Sequence, residues 1–233
     1  MASNPVLPRA GDRGYADAER IGFGVLMIGA PLLMLGAALF HPPHGIESGA
    51  QYYSASHDHG TRFYVAHTLF FLSAVLFVPA VVGLARLVHP THPRASFWGC
   101  VLSLMGFVGY GALDGIDYMT WVAGKDDTGL DPVAMQAFID EALHTRAVLI
   151  PVLLVFTLLP IGLIVLAVGV HRAGIAPGWL AALMALGMVG VAATLQYPVL
   201  LVISALALLA GFGTVGVKLL RAPSASRPGV TGV

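Results

Sequence analysis

The sequence predicts an all-α, polytopic membrane protein with six transmembrane helices. The chain of 233 residues is 57% hydrophobic, and only 10% of its residues are charged. Because about a quarter of the residues of a soluble domain are charged, this chain is not built to face water on all sides. Several uncharged stretches also reach the roughly 20 residues that a helix needs to cross the hydrocarbon core of a bilayer.

Polar segments, most of them containing proline or glycine, divide the apolar sequence into six predicted spans. In chain order these cover residues 21–40, 63–88, 95–122, 147–170, 178–194 and 199–220. Residues 1–20 are predicted to form a cytoplasmic N-terminal tail and residues 221–233 a disordered cytoplasmic tail. The six-span transmembrane domain, residues 21–220, lies between them.

One further helix is predicted outside the spans, over residues 133–145. Asp131 followed by Pro132 is typical of a helix start, because aspartate caps the first amides and proline suits the first helical position. The apolar residues of this segment share one face, so we expect an amphipathic helix that lies near the membrane interface.

Lysine and arginine predict the orientation, since they are more frequent in cytoplasmic loops. With six spans, nine basic residues fall on the side of the two termini, and three fall on the other side, namely Arg62, Lys125 and Arg146. Both termini are therefore predicted to be cytoplasmic.

Composition also limits the partners and cofactors. The formal net charge of zero gives no indication of nucleic-acid binding, and the single cysteine, Cys100, excludes an intramolecular disulfide and a cysteine-rich metal centre. The expected partner is the lipid bilayer. A homo-oligomer or a membrane-protein partner stays open, because small residues on helix faces allow close packing. The small residues predicted for close packing are the glycines Gly83, Gly99, Gly106, Gly109, Gly187 and Gly190.

Two carboxylates near the end of the third span mark the candidate site. No charge occurs from Ala95 to Leu113, and then Asp114 and Asp117 follow before the predicted end of the span. At about 100° per residue, these two share a helix face with Tyr118 and Trp121. Ionised groups at membrane depth are costly and usually face a bundle interior or a wet cavity, so this face predicts a functional site.

Histidines at the same membrane level complete the candidate site. His67 lies one turn inside the second span and His144 ends the amphipathic segment, with His41 a further candidate at the end of the first span. We predict His67, Asp114 and His144 as metal ligands and Asp117 as a catalytic acid–base residue. Imidazole and carboxylate suit a divalent metal such as zinc or iron, which activates water or polarises a carbonyl. Without metal, the same residues form a proton relay.

Each member also has a structural interpretation. The carboxylates could pair with Arg62 or Arg146, and His67 could hydrogen-bond a carbonyl group between helices. His144 lies opposite the apolar face of its helix and could simply face water.

The segment from Arg62 to Arg86 carries a family resemblance. It begins Arg-Phe-Tyr-Val-Ala-His and ends Val-Pro-Ala-Val-Val-Gly-Leu-Ala-Arg. It resembles a loose class of small uncharacterised bacterial multi-pass integral membrane proteins, in which a histidine opens the second span and this Pro-Ala…Gly-Leu-Ala-Arg pattern closes it. The resemblance implies a multi-pass fold in a bacterial plasma membrane and no particular activity.

Two characterised families share part of the pattern. His67 and Asp114 resemble the zinc set of ceramidase-like and adiponectin-receptor-like hydrolases, but the His-x-x-x-His pair and the seventh span of those families are missing here. Six-span cytochromes hold two haems between histidine pairs. Here the inner pair would be His89 and His171, which lie in loops too shallow to enclose a haem, so we do not expect haem.

Three hypotheses for the function follow. The first is a metal-dependent enzyme with an outward-facing His/Asp site that acts on a lipid or another membrane-dissolved substrate. The second is a small proton-coupled transporter, against which the nearly featureless inner halves of spans three, five and six argue. The third is a non-catalytic membrane subunit or interaction protein.

Overall fold

The fold is described from a computed structural model of the chain, over residues 10–42, 48–125, 129, 131–193 and 197–223. The described residues form helices and short connections, and no strand occurs among them. The helices, numbered in chain order, are α1 Ala10–Phe40, α2 Gly49–Asp58, α3 Gly60–Val88, α4 Pro93–Ala123, α5 Pro132–His144, α6 Arg146–Arg172, α7 Gly178–Ala193 and α8 Pro198–Arg221.

Six of these helices account for the predicted spans. Among the described residues, α1, α3, α4, α6 and α8 are long and apolar enough to cross a membrane, and α7 is a shorter apolar helix of 16 residues. The predicted all-α polytopic bundle is therefore confirmed. Its bounds fall within a few residues of the predicted ones, except at the start of α1.

Helix α1 begins at Ala10, eleven residues before the predicted start of the first span at residue 21. Charged side chains explain the difference, because they bind groups on other helices. Arg20 donates to the carbonyl oxygens of Leu219 and Ala222 at the end of α8. Glu19 forms an ion pair with Arg86 of α3. Residues 1–9 and 224–233, the rest of the predicted tails, lie outside the described residues.

The six span helices close into a ring. Around the ring, α1 packs against α3, α3 against α4, α4 against α6, α6 against α7, α7 against α8, and α8 against α1. Phe77 of α3 lies at the centre, with its ring 5.3 Å from those of Phe107 and Phe212. All three side chains are buried, so the middle of the bundle is filled by aromatic rings.

Glycines bring neighbouring helices of the ring into backbone contact. A Cβ atom at Gly99 would lie 3.0 Å from the carbonyl oxygen of Gly162, and one at Gly106 would lie 2.7 Å from the Cα atom of Leu159. Each of the six glycines predicted for close packing contacts a neighbouring helix of the same chain. The small-residue faces are thus used inside the bundle.

Helix α6 changes its winding part-way along. It starts with a short 3-10 turn, continues as an α-helix over Leu149–Leu153 and widens into a π turn over Leu154–Leu158 before it returns to α geometry. Pro160 is the second residue after the π turn. Because proline has no N–H group and its ring collides with the carbonyl group four residues earlier, here that of Phe156, regular α geometry is interrupted at this point.

Two short helices, α2 and α5, pack against each other at the end of the ring where α1 ends and α3 begins. Asp131 caps α5 as predicted, accepting hydrogen bonds from the amides of Val133 and Ala134, both 3.3 Å long. The polar segment before α3, predicted to be a loop, contains α2. The amide of Gly49 donates to Asp140 Oδ1 over 2.9 Å, which ties the start of α2 to α5.

Candidate functional site

A cavity of about 460 Å³ lies beneath α2 and α5. Side chains of α3, α4 and α6 form its walls together with His41, which directly follows α1, and α2 and α5 cover it. Its lining is mainly apolar, and α3 and α4 contribute four of its polar side chains, His67, Tyr110, Asp114 and Asp117. The lining residues are His41, Tyr52, His67, Phe70, Tyr110, Leu113, Asp114, Ile116, Asp117, Leu143, His144, Val148, Val152, Val155 and Phe156.

Helix α4 places both carboxylates in this cavity. Tyr110, Asp114 and Asp117 follow one another at spacings of four and three residues, so they lie on one helix face, and Leu113 lies beside Asp114. Asp114 is only 3% exposed, and its Oδ2 atom has no hydrogen-bond partner within the described part of the chain. A buried carboxylate oxygen without a partner is costly, so most such groups in proteins are bonded.

Asp117 faces His67 across the contact between α3 and α4. Its Oδ2 atom lies 3.5 Å from His67 Nε2, which is close enough for an ion pair although long for a hydrogen bond. The other ring nitrogen, His67 Nδ1, lies 2.7 Å from the carbonyl oxygen of Phe63 on the preceding turn. Phe63 also stacks on the imidazole, with 4.1 Å between ring centres, and so holds its orientation.

These contacts determine which proton can move. A carbonyl oxygen only accepts hydrogen bonds. In this contact His67 Nδ1 is therefore the N–H donor and the Phe63 carbonyl oxygen is the acceptor. A proton placed between His67 Nε2 and Asp117 Oδ2 would make either an imidazolium beside a carboxylate or a neutral imidazole beside a carboxylic acid. A pair of this kind can take a proton from a molecule in the cavity or give one to it.

His41, which directly follows α1, and Tyr52 of α2 complete the wall. The buried His41 ring lies 5.5 Å from that of His67 and 5.7 Å from that of Phe70. Tyr52 enters from the covering helix. Burial, with a smaller contribution from the negative charge of Asp117, raises the pKa of the Tyr52 phenol above its ordinary value. The phenol therefore keeps its proton and stays a hydrogen-bond donor near Asp117.

His144 lies at the edge of the cavity. Its side chain is 62% exposed, and its Nδ1 atom is 2.8 Å from the carbonyl oxygen of Asp140 in its own helix. Within the described residues, no group of three or more His, Cys, Asp and Glu side chains is arranged to hold a metal ion. His67, Asp114 and His144 thus line one cavity, and their role as metal ligands stays a prediction.

Comparison of the chain with protein-family models, curated proteins and solved structures finds no match. Function must therefore be inferred from the geometry and chemistry of the cavity.

The structure separates the predicted acidic face into two parts. Asp114 and Asp117 face the cavity, whereas Tyr118 and Trp121 pack on α3. The Tyr118 hydroxyl donates to Thr68 over 3.1 Å, and the Trp121 ring lies 4.6 Å from that of Tyr64. Within the described part of the chain, Arg62 and Arg146 form no ion pair with either carboxylate, and Arg62 Nε instead donates to the Phe40 carbonyl.

Two tyrosines in the cavity wall were not predicted from the sequence. The sequence does indicate the position of Tyr110, because this residue precedes Asp114 by four residues and therefore shares its helix face. The sequence indicates the position of Tyr52 less clearly. Ser48 and Gln51 have the Ser-x-x-Gln spacing of a helix start, and Ser48 Oγ does accept from the Gln51 amide over 3.4 Å. That spacing predicts α2 but not its position over the cavity.

Proposed function

We propose that the protein binds a small, largely apolar molecule in this cavity and acts on it by general acid–base catalysis. His67 and Asp117 exchange the proton, Tyr52 donates a hydrogen bond, and Asp114 holds the substrate. The proposal rests chiefly on the 3.5 Å approach of His67 Nε2 and Asp117 Oδ2 at the wall of a covered cavity. A cavity of this size lies within the roughly 300–1,000 Å³ of most small-molecule sites.

The packing below the cavity supports a site at one side of the membrane rather than a transport path. Phe77, Phe107 and Phe212 fill the middle of the ring. Buried serines in the described part of the other half, Ser96 and Ser103, donate to backbone carbonyl groups of Ala85 and Gly99. A proton-coupled carrier needs ionisable groups along its path, so we place the enzyme hypothesis first.

We further propose that the membrane is a bacterial plasma membrane and that the cavity faces outward. The resemblance of residues 62–86 to small bacterial membrane proteins supports the location. Basic residues of the described chain support the orientation, because Arg20, Arg86, Lys218 and Arg221 gather at the end of the ring opposite the cavity.

A conversion assay tests the proposed activity. Purified protein is placed in vesicles made from a total bacterial lipid extract, with a polar metabolite extract outside, and mass spectrometry follows any compound that is consumed. We expect Asp117→Asn to slow the conversion by about 100-fold or more, as is usual when a general acid–base residue is lost. Asp58→Asn is the matched control, because Asp58 is an exposed carboxylate of α2 that lies outside the cavity.

Two adjacent residues of α6 provide a second control. Val152 lines the cavity, whereas the neighbouring Leu153 is 59% exposed on the outer surface of the ring. Tryptophan at position 152 should fill the cavity and stop the conversion, and tryptophan at position 153 should leave it unchanged. Equal rates for wild type, Asp117→Asn and Val152→Trp would show that the reaction does not occur in this cavity.

Metal analysis of the same samples separates the metal-dependent form of the hypothesis from the metal-free form. The metal-dependent form requires stoichiometric zinc or iron in the wild type, with loss of that metal in His67→Ala and Asp114→Asn. The metal-free form requires full activity after treatment with a chelator. We favour it because His67 and Asp117 form a pair that no third ligand joins among the described residues.

A further inference from the structure

From the charge distribution of the cavity we infer the class of its ligand: an organic molecule with a protonated primary amine on an apolar, aromatic-sized body. This inference rests on the proposed function, since it names the substrate class of the same cavity. The amine would donate hydrogen bonds to Asp114 and lie among the aromatic rings of the wall.

The unpartnered oxygen of Asp114 is the first argument. Asp117 has His67 as its partner, but Asp114 Oδ2 has none among the described residues, although Asp114 is 97% removed from solvent and lines the cavity. A donor that enters the cavity would meet an acceptor that is already free of water. An N–H group on a cation is the strongest donor for such an acceptor.

Charge balance is the second argument. The described lining contains two carboxylates, Asp114 and Asp117, but neither lysine nor arginine. His67 balances one of the carboxylates when it is protonated, so the cavity has room for one further positive charge. An anionic ligand would place a third negative group beside these two, at high cost in a low-dielectric site.

The rings of the wall favour an organic cation over a metal ion. His41, Phe70, Tyr110 and Phe156 line the cavity together with aliphatic side chains. Aromatic faces attract ammonium groups and also bury an apolar body. A metal ion instead needs several oxygen or nitrogen ligands, and the described residues provide no group of three.

A matched ligand series tests the inference. Tryptamine, tryptophol and indole-3-acetate share the indole ring and carry an ammonium, a hydroxyl and a carboxylate group, respectively. Their affinities for the full-length protein in detergent micelles are measured by calorimetry. We expect tryptamine to bind about tenfold or more tightly than tryptophol, because a hydrogen bond to a charged group is worth that difference. Indole-3-acetate should bind most weakly.

Variants assign the preference to Asp114. In Asp114→Asn the preference for tryptamine over tryptophol should fall to near unity, and in Asp58→Asn it should persist. Val152→Trp should abolish binding, and Leu153→Trp should retain it. If Asp114→Asn does not fold, the wild-type comparison of the three ligands and the Val152/Leu153 pair still decide the matter.

Three results would overturn the inference. The first is the absence of tryptamine binding up to millimolar concentration, and the second is a preference that persists in Asp114→Asn. The third is equal binding of tryptamine and tryptophol. If such equal binding is lost in Val152→Trp and kept in Leu153→Trp, the cavity binds apolar molecules as proposed and only the ammonium inference fails.

Discussion

Asp114 and Asp117 are one helical turn apart, yet their carboxylates have different surroundings. Asp117 Oδ2 lies 3.5 Å from His67, whereas Asp114 Oδ2 has no hydrogen-bond partner among the described residues. Removing one member of a buried pair leaves the other uncompensated, whereas removing an unpartnered charge relieves a cost. The two residues should therefore respond in opposite ways to the same substitution.

We predict that Asp117→Asn lowers the free energy of unfolding by about 1–3 kcal/mol, because His67 loses its partner. Asp114→Asn should leave that free energy unchanged or raise it, while it weakens ligand binding. Both are measured by unfolding in mixed micelles, with Asp58→Asn as the control. A larger loss of stability in Asp114→Asn than in Asp117→Asn would contradict the assignment of the pair.

The depth of the two carboxylates in an uncharged span was enough to predict that both face the interior of the bundle. The same reasoning could not place Tyr52, because its position depends on the contact of Gly49 with Asp140, which is 91 residues away. The sequence also could not exclude Arg62 and Arg146 as ion-pair partners of the two carboxylates. Which of several nearby charges a carboxylate meets depends on helix rotation, which the hydropathy pattern leaves open.

Close contact at the level of whole helices depends on glycine in α4. A Cβ atom at Gly106 would collide with the Cα and Cβ atoms of Leu159 in α6, whereas one at Gly115 in the same helix would meet nothing within 4 Å. Alanine favours helix more than glycine does by about 0.5–1 kcal/mol, so only the contact with α6 distinguishes the two sites.

We therefore predict that Gly106→Ala lowers the free energy of unfolding by about 1–3 kcal/mol, the usual cost of overpacking. Gly115→Ala should leave it unchanged or raise it by up to about 1 kcal/mol. Thermal unfolding in one detergent compares the two variants directly. Equal effects at the two positions would contradict the packing of α4 on α6.

The span helices were predictable because their apolar length exceeds what soluble helices need. Two elements of the fold, α2 and the π turn of α6, could not be predicted from the sequence. Helix α2 is polar, and its helical state follows from its cap at Ser48 and its packing on α5. The π turn of α6 depends on how the helix accommodates Pro160 against α4, and no hydropathy pattern contains that information.

At the scale of the whole molecule, the closed ring gives the protein two different ends. Arg20, Arg86 and Lys218 bind groups of neighbouring elements at one end, and the cavity lies at the other. Lysine and arginine are retained on the cytoplasmic side during insertion, so this asymmetry predicts that the cavity end faces outward.

Cysteine labelling in intact cells measures the orientation. In a Cys100→Ser background, His59→Cys at the joint of α2 and α3 should react with an impermeant maleimide. Thr91→Cys, between α3 and α4, should react only after the cells are opened. Both positions are exposed at the protein surface. The reverse pattern would place the cavity on the cytoplasmic side.

The π turn of α6 carries one residue more than a regular helix needs over the same rise, and Val155 and Phe156 of that turn border the cavity. Loss of a single residue there would rotate the segment from Leu149 to Leu153 by about 100° relative to the part after Pro160. The tight seam of α6 with Gly99 and Gly106 lies beyond the turn and would keep its register. Related chains could thus acquire a differently shaped chamber, and a different ligand, by one codon-length deletion or insertion while the remainder of the bundle stays as it is.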